Sequence, residues 1–422
     1  MLKTAYQQIC AILGLMLLAQ LGPRPAAAHS RPANIWSHGV KQAAQISNEA
    51  ARLSREGQEF TAAGSFAAAE QSYRRAFQLI EASHGPEHPE TLLALNNVAA
   101  AVARAGRYAE AAQLFEQVYQ RRIGRFGPDH RATLVAMTNL ATSLSNAGEY
   151  DAAETTYREA IPRLETTLGN RNSLTINAIN GLGVLYYSQG RFAEAEPLYF
   201  RALEGFEALL GADDPATLLA VHNLATLHAV QDRSAEAESL YLRALEGRQT
   251  TLGPLHVQTL ETVANLGVFY EAQGRDDDAE QFMVRALSGR EQALGALHPD
   301  TLTAQGNLAT FYFNRARYDE AEPLMQSTLE GRRQILGVTH PYTLRAAASL
   351  GRLHLMRGQG HLAEPLLRDA ANGRIHQLGL EHPGTLRSLH ALVLCRLNLS
   401  GVEPTSITPA RLLLEGMRAR RR

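Results

Sequence analysis

The sequence predicts an all-α solenoid, because one short pattern returns at a fixed period of 42 residues. A threonine recurs at this spacing from Thr91 to Thr385 with no insertion or deletion, and a glycine stands six residues before each one, from Gly85 to Gly379. A fixed period of this length is typical of helical units that stack on one another. Such a protein is mostly surface, and its usual task is to bind something.

Composition excludes a global basic field. The chain of 422 residues has 41 Lys and Arg against 42 Asp and Glu, a formal net charge of −1. We therefore expect no nucleic-acid partner. The length alone suggests two or three domains, but the unbroken repeat predicts one elongated domain.

Residues 1–28 are predicted to be a cleaved secretory signal. Lys3 supplies the positive charge, Ile9 to Ala19 is a short apolar run, and Ala26-Ala27-Ala28 offers the cleavage site. The mature chain would be periplasmic or secreted, with no integral membrane span and a flexible arm at residues 29–40. The alternative is an uncleaved anchor that holds the chain at the membrane, facing the periplasm.

Each repeat predicts two helices. In the unit from Ala296 to Gly337, Pro299 suits the first helical position and His298 the N-cap, a slot that Asn172 and Asp214 occupy elsewhere. Apolar residues at helical spacing follow, and a second helix is predicted from about Tyr318 to Arg333.

Two positions of the second helix also recur. An alanine stands 20 residues after the threonine in all seven units, where close helix approach needs a small side chain. Arginines near the end of this helix are expected to offset the negative end of its dipole; they are Arg248, Arg290, Arg332 and Arg374.

The ends of the array depart from the pattern, as capping repeats do. We expect a degenerate helix pair at residues 41–85, seven tandem units at 86–379, and capping helices with a basic tail at 380–422. The total is about nine antiparallel helix pairs.

The motifs resemble the tetratricopeptide repeat. The clearest instance combines Leu182-Gly183, Tyr186, Gly190, Ala195, Tyr199 and Ala202, and the added Leu-Gly-x-x-His-Pro-x-Thr-Leu segment is similar to the variant of kinesin light chains and many bacterial repeat proteins. The resemblance covers about residues 41–397. It implies a right-handed superhelical solenoid whose first helices line a concave groove that binds a protein or an extended peptide.

Asparagine recurs six residues after the threonine, at Asn97, Asn139, Asn223, Asn265 and Asn307. Asparagine is a mediocre helix former, so its repetition inside a helix needs a reason. One interpretation is a ladder of amides that grips a peptide backbone. The other is a set of hydrogen bonds between adjacent helices that fixes their stacking.

Other groove positions vary, as specificity requires. Asn180 and His222 stand one residue before the asparagine column, and Tyr187 and Phe313 are expected to add aromatic surface. Arg345, Arg352 and Arg387 would make the C-terminal end of the groove basic and favour an acidic segment or a terminal carboxylate. Alternatively, these arginines are ordinary solvated side chains.

No catalytic, cofactor or metal motif stands out, so we expect a protein that is not an enzyme and needs no cofactor. The recurrent histidines lie 42 residues apart and are assigned to capping, not to metal ligation. Asp276-Asp277-Asp278 is interpreted as a solvated turn between helices, and Cys395 as a core residue.

The favoured function is an interaction scaffold or adaptor that binds a protein or peptide. The alternative is a self-associating structural protein of the cell envelope, suggested by the apolar run Leu412-Leu413-Leu414 with Met417 and by Trp36 in the N-terminal arm.

Overall fold

The computed structural model describes residues 39–400, which form α-helices joined by short turns, with no strand in that range. The chain divides into two compact units, the first ending at Gly247 and the second beginning at Arg248. The first unit contains α1 (Gly39–Ala62), α2 (Phe66–His84), α3 (Pro89–Arg104), α4 (Tyr108–Phe126), α5 (Arg131–Ala147), α6 (Tyr150–Leu168), α7 (Ser173–Ser188), α8 (Phe192–Leu210) and α9 (Pro215–Val230). The next helix, α10 (Ser234–Thr251), contains the boundary.

The second unit continues with α11 (Val257–Ala272), α12 (Asp276–Leu294), α13 (Pro299–Asn314), α14 (Tyr318–Leu336), α15 (Pro341–Met356), α16 (Gly360–Leu378) and α17 (Pro383–Ser400). Within each unit, helices that follow one another in sequence pack together. The all-α repeat is thus confirmed. Helices α1 to α16 form eight consecutive pairs, and the partner expected for α17 lies outside the described residues.

Two boundaries differ from the sequence analysis. The first helix begins at Gly39, inside the segment expected to be a flexible arm. The division into two compact units falls inside α10, at a place that the sequence analysis did not predict. A stack of repeats has contacts only between neighbours, so its pattern does not fix where it divides.

A hydrogen bond joins the repeat threonine to the repeat glycine at Thr91, Thr133, Thr175, Thr217 and Thr259. Thr91 Oγ1 donates to the Gly85 carbonyl at 2.7 Å, and Thr217 Oγ1 donates to that of Gly211 at 2.7 Å. The glycine ends the preceding helix with a φ of about +85° and an extended ψ, a combination that side chains rarely adopt. The threonine thereby satisfies a carbonyl at the helix end, which explains why the two residues recur together.

The histidine caps are confirmed. In each case Nδ1 accepts a hydrogen bond from the backbone N–H two residues later, at 3.0 to 3.3 Å; the residues are His88, His130, His256, His298, His340 and His382. Asn172 and Asp214 cap in the same way, at 3.0 and 2.8 Å.

The alanine column is buried, as predicted. Every member has 0 % of its surface exposed; the residues are Ala111, Ala153, Ala195, Ala237, Ala279, Ala321 and Ala363. A larger side chain in this closely packed position would force the helices apart.

The arginines of the second helix have a role that the sequence analysis did not predict. Arg248 is fully buried, and its Nη1 donates to the Gln258 carbonyl at 2.8 Å, in the first turn of the next helix. Arg332 reaches the Tyr342 carbonyl at 3.2 Å in the same way. Burial lowers the pKa of Arg248 and of Arg332 to about 10. They therefore join successive helices, and Arg248 also lies in the last turn of its own helix, as predicted.

Three further findings concern the remaining predictions. Asp276, Asp277 and Asp278 form the first turn of α12, not a loop between helices, and Asp278 pairs with Arg275 at 2.8 Å. Acidic residues are favourable there because a helix N-terminus carries partial positive charge. Cys395 lies in the core, as predicted. Within residues 39–400, no helix is long and apolar enough to cross a membrane.

Candidate functional site

The candidate binding surface of each unit is one face of its first helices, on which exposed and buried residues alternate from helix to helix. We call "the wall" the positions that lie two, five, six and nine residues after each repeat threonine. Positions five and six are adjacent, and each lies three or four residues from positions two and nine, so all four share one side of a helix. The first unit supplies its wall from α3, α5, α7 and α9, and the second unit from α11, α13, α15 and α17.

The wall of the first unit is largely buried where its polar residues are densest. Asn180, His222 and Asn223 are each at most 2 % exposed. Asn223 Nδ2 donates to Asn180 Oδ1 at 3.1 Å, from α9 to α7. In this pair the asparagine joins adjacent repeats. Asn97 and Asn139, on α3 and α5, are half-buried.

Tyr187 does not add aromatic surface to the wall, contrary to the expectation. Its side chain is 3 % exposed, and its ring lies 5.5 Å from that of Phe192. Phe313 stands at the same repeat position and makes the equivalent contact with Tyr318, but its side chain is only half-buried. Periodicity within a single helix did not reveal this contact.

The wall of the second unit has a different character. Asn265 is 1 % exposed, whereas Asn307 is half-buried. On α13 the ring of Phe313 is half-buried and lies 5.7 Å from the guanidinium carbon of Arg352, which is exposed on α15. This arrangement brings an aromatic face and a cation from neighbouring first helices together.

The predicted basic residues share this face. Arg345 and Arg352 lie two helical turns apart on α15, and Arg387 is exposed on α17. The guanidinium carbon of Arg345 lies 5.1 Å from the ring centroid of Tyr342. Desolvation and then the positive charge of Arg387 lower the pKa of Arg352. The two cations are therefore close enough to repel each other.

Arg352 and Arg387 form no ion pair with a carboxylate in the described part of the chain. The arginines of the Gly-Arg-Tyr/Phe motif behave differently. Arg191 pairs with Glu154 at 2.5 Å and Glu194 at 2.7 Å, and Arg317 pairs with Glu280 and Glu320, each at 2.5 Å.

The pairs Arg191–Glu154 and Arg317–Glu280 join consecutive repeats, because each glutamate belongs to the repeat before that of its arginine. The same arginines lie over tyrosine rings, at 4.0 Å for Arg191 over Tyr186 and 4.3 Å for Arg317 over Tyr312. The charged residues of the repeat motif therefore hold the stack together, a role that sequence analysis missed. Their fixed spacing of 37 residues was the available signal.

Comparison with known proteins agrees with this architecture. The tetratricopeptide repeat model matches residues 60–124, 174–250, 217–292, 258–313 and 300–375, and a second tetratricopeptide repeat model matches 133–173. The chain belongs to the tetratricopeptide repeat family. The repeats of this family generally mediate interactions between proteins. No curated protein matches the sequence.

Three solved structures illustrate the similarity. The putative kinesin light chain TPR-like repeats of Podosopora anserina are 21 % identical over 49 % of this chain and 99 % of that one, with a TM-score of 0.41. BtubC (BKLC) from P. vanneervenii is 26 % identical over 56 % and 91 %, with a TM-score of 0.44. A Rap protein complexed with Competence and Sporulation Factor is 13 % identical over 86 % and 99 %, with a TM-score of 0.53.

Proposed function

We propose that this chain is a non-enzymatic interaction protein that binds an extended, acidic segment of a partner protein along the wall of its second unit. The observation that carries the proposal is the set formed by Arg345, Arg352 and Arg387, of which Arg352 lies beside the ring of Phe313. The wall of the first unit has no such arginine set at Asn180, whose amide accepts a hydrogen bond from Asn223 and so joins adjacent repeats.

Electrostatics favours an anionic ligand at this face. The charge of Arg387 already disfavours the protonated form of Arg352, and a ligand carboxylate between them would relieve that repulsion. A guanidinium group can bind a carboxylate through two parallel hydrogen bonds. Because Arg352 and Arg387 have no carboxylate partner in the described residues, binding would not have to break an existing ion pair.

The neighbouring side chains suit an extended peptide. Phe313 offers a half-buried ring for an apolar residue of the ligand, and Asn307 offers an amide that can both donate to and accept from a peptide backbone. Both residues lie on α13, one first helix away from Arg345 and Arg352 on α15. A segment that alternates acidic and apolar residues would match this surface.

Fluorescence anisotropy with a labelled peptide of alternating glutamate and leucine tests the proposal, with the lysine–leucine peptide as the charge-reversed probe. We expect the acidic peptide to bind and the triple variant Arg345→Ala, Arg352→Ala and Arg387→Ala to bind about 100-fold more weakly. Three lost contacts of about 1 kcal/mol each give a change of that size.

The matched control removes three exposed arginines of the first unit, at Arg125, Arg131 and Arg171. It changes the net charge equally and should leave affinity within about threefold. Equal weakening by both triple variants would mean that net charge, not this wall, attracts the peptide. Equal binding of the lysine peptide would contradict the proposed ligand class.

We also propose that the protein acts after export, as residues 1–28 suggest. N-terminal sequencing of the mature protein tests this, and His29 is the expected first residue. Self-association remains the alternative function. The segments that suggest it, around Trp36 and Leu412-Leu413-Leu414, lie outside the described residues, and light scattering of the mature chain would decide it.

A further inference from the structure

We propose that the first unit contains a binding site for a divalent transition metal ion such as Zn²⁺, formed by His84, His88 and Glu90 at the junction of α2 and α3. The sequence analysis assigned the recurrent histidines to capping alone. That assignment overlooked His84, which precedes the capping His88 by four residues.

The chain departs from its own repeat pattern at this point. In all the other repeats the residue before the helix-ending glycine is apolar. These residues are Phe126, Leu168, Leu210, Leu252, Leu294, Leu336 and Leu378. Only the first such position has a histidine, His84. The substitution of an imidazole for an apolar side chain, beside a second imidazole and a carboxylate, is not required by the repeat.

The three side chains come together in the structure. One ligand atom from each residue lies within 4.8 Å of the others. His84 Nε2 is 4.0 Å from Glu90 Oε2, and the two imidazole rings are 4.6 Å apart at 33°. Ligands of one tetrahedral zinc ion lie about 3.3 Å apart, given bond lengths of about 2.0–2.1 Å. Small rotations of these side chains, of which His84 and Glu90 are exposed, would close that difference.

A neighbouring hydroxyl prepares His84 for ligation. Ser83 Oγ donates to the helix carbonyls of Leu79 and Ile80, at 3.0 and 3.1 Å, and lies 2.7 Å from His84 Nδ1. When the single hydroxyl proton points to one of these carbonyls, Ser83 Oγ can accept from Nδ1–H of His84. The lone pair of His84 is then on Nε2, the atom nearest Glu90. A hydrogen bond to the second ring nitrogen is the usual way in which a metal-binding histidine is oriented.

His88 contributes at the expense of its cap. Its Nδ1 accepts from the Glu90 backbone N–H at 3.3 Å, among the longest of the six histidine caps, so a metal ion competes against a weak hydrogen bond. The Glu90 carboxylate offsets the positive end of α3. Two imidazoles and one carboxylate suit zinc and its neighbours, with a remaining position for water, whereas Mg²⁺ and Ca²⁺ prefer oxygen ligands.

Calorimetric titration of the full chain with ZnCl₂ tests the site. We expect one saturable site that His84→Leu weakens at least about tenfold, because losing a ligand should cost no less than losing an outer-shell partner. Leucine is the residue that most other units carry there, so this variant should fold. His88→Asn removes an imidazole but keeps a side chain that caps well, as Asn172 does, and should weaken binding similarly. Ser83→Ala should weaken it by about tenfold.

The matched control is His298→Asn. His298 also caps a helix and is followed by an acidic residue, Asp300, but Leu294 occupies the position that corresponds to His84. This variant should bind Zn²⁺ like the unaltered chain. The proposal fails if the unaltered chain does not bind, if His84→Leu and His88→Asn bind as well as it does, if His298→Asn loses the same affinity, or if Mg²⁺ binds equally tightly.

Discussion

The walls of the two units show that residues at one repeat position can differ in burial and in hydrogen bonding. In the first unit, Asn223 is 2 % exposed and donates to Asn180 on the preceding first helix. In the second unit, Asn307 occupies the same position but is half-buried, beside a face that carries Arg345 and Arg352. A regular period therefore determines the position of a side chain on its helix but not the residues that it contacts.

Asn223 and Asn307 differ in the hydrogen-bond acceptor that the residue 43 positions earlier offers them. For Asn223 this residue is Asn180, which offers an acceptor, whereas for Asn307 it is Ala264, which offers none. The spacing is not sufficient by itself. Asn96 stands 43 residues before Asn139, yet Asn96 Oδ1 is buried without a hydrogen-bond partner in the described residues.

The largest expected effect on stability follows from this contrast. Asn223→Ala removes a buried hydrogen bond and leaves Asn180 Oδ1 without its donor, so we expect it to lower the free energy of unfolding by about 2 kcal/mol. Asn307→Ala should change it by less than about 0.5 kcal/mol, because the residue is half-buried. Urea denaturation measures both.

The peptide affinity of the same two variants sharpens the comparison. We expect Asn307→Ala to weaken binding of the glutamate–leucine peptide and Asn223→Ala to leave it unchanged, provided that both variants are folded. The opposite result would place the ligand on the first wall and assign the stacking role to the second.

The repeat threonine offers a second comparison between the units. Thr217 in the first unit donates to Gly211 and is fully buried, so Thr217→Val should cost about 1.5 kcal/mol of unfolding free energy. Thr301 in the second unit is also buried, but its Oγ1 has no partner in the described residues. Thr301→Val should therefore be neutral or stabilising, since it removes an unsatisfied hydroxyl. Equal losses in the two thermal or urea melts would refute this distinction.

A smaller effect is expected at Glu261, on the second wall. It is 4 % exposed, neither carboxylate oxygen has a hydrogen-bond partner in the described residues, and Arg248 Nη1 is 3.7 Å away. Burial raises the pKa of Glu261, and the charges of Arg248 and then Arg290 only partly oppose this.

A raised pKa in the folded state fixes the sign of the pH dependence. The contribution of Glu261 to stability is fully present below the unfolded pKa of about 4.5 and is lost as pH rises through the folded pKa. We expect Glu261→Gln to stabilise the protein by about 1 kcal/mol at neutral pH and to have little effect near pH 4. A destabilised variant at neutral pH would show instead that the pair with Arg248 is net favourable.

The sequence by itself determined the repeat, the helix caps, the alanine contacts and the family, because each depends on residues that are near in the chain or recur at one period. His298 caps its own helix, and Ala321 must be small, wherever the unit stands. The sequence also placed Arg345 and Arg352 on one face of α15, and Arg387 at the repeat position of α17 that corresponds to Arg345, since helical spacing is local.

Only the tertiary structure decided which of these side chains remain available. It buried Tyr187, paired Asn223 with Asn180, and joined Arg248 to the first turn of the next helix. It also brought His84, His88 and Glu90 together across a turn. The physical reason is that burial and hydrogen bonding between neighbouring repeats depend on side chains about 40 residues apart. The period identifies equivalent positions in the repeats but does not give the contacts of the residues there.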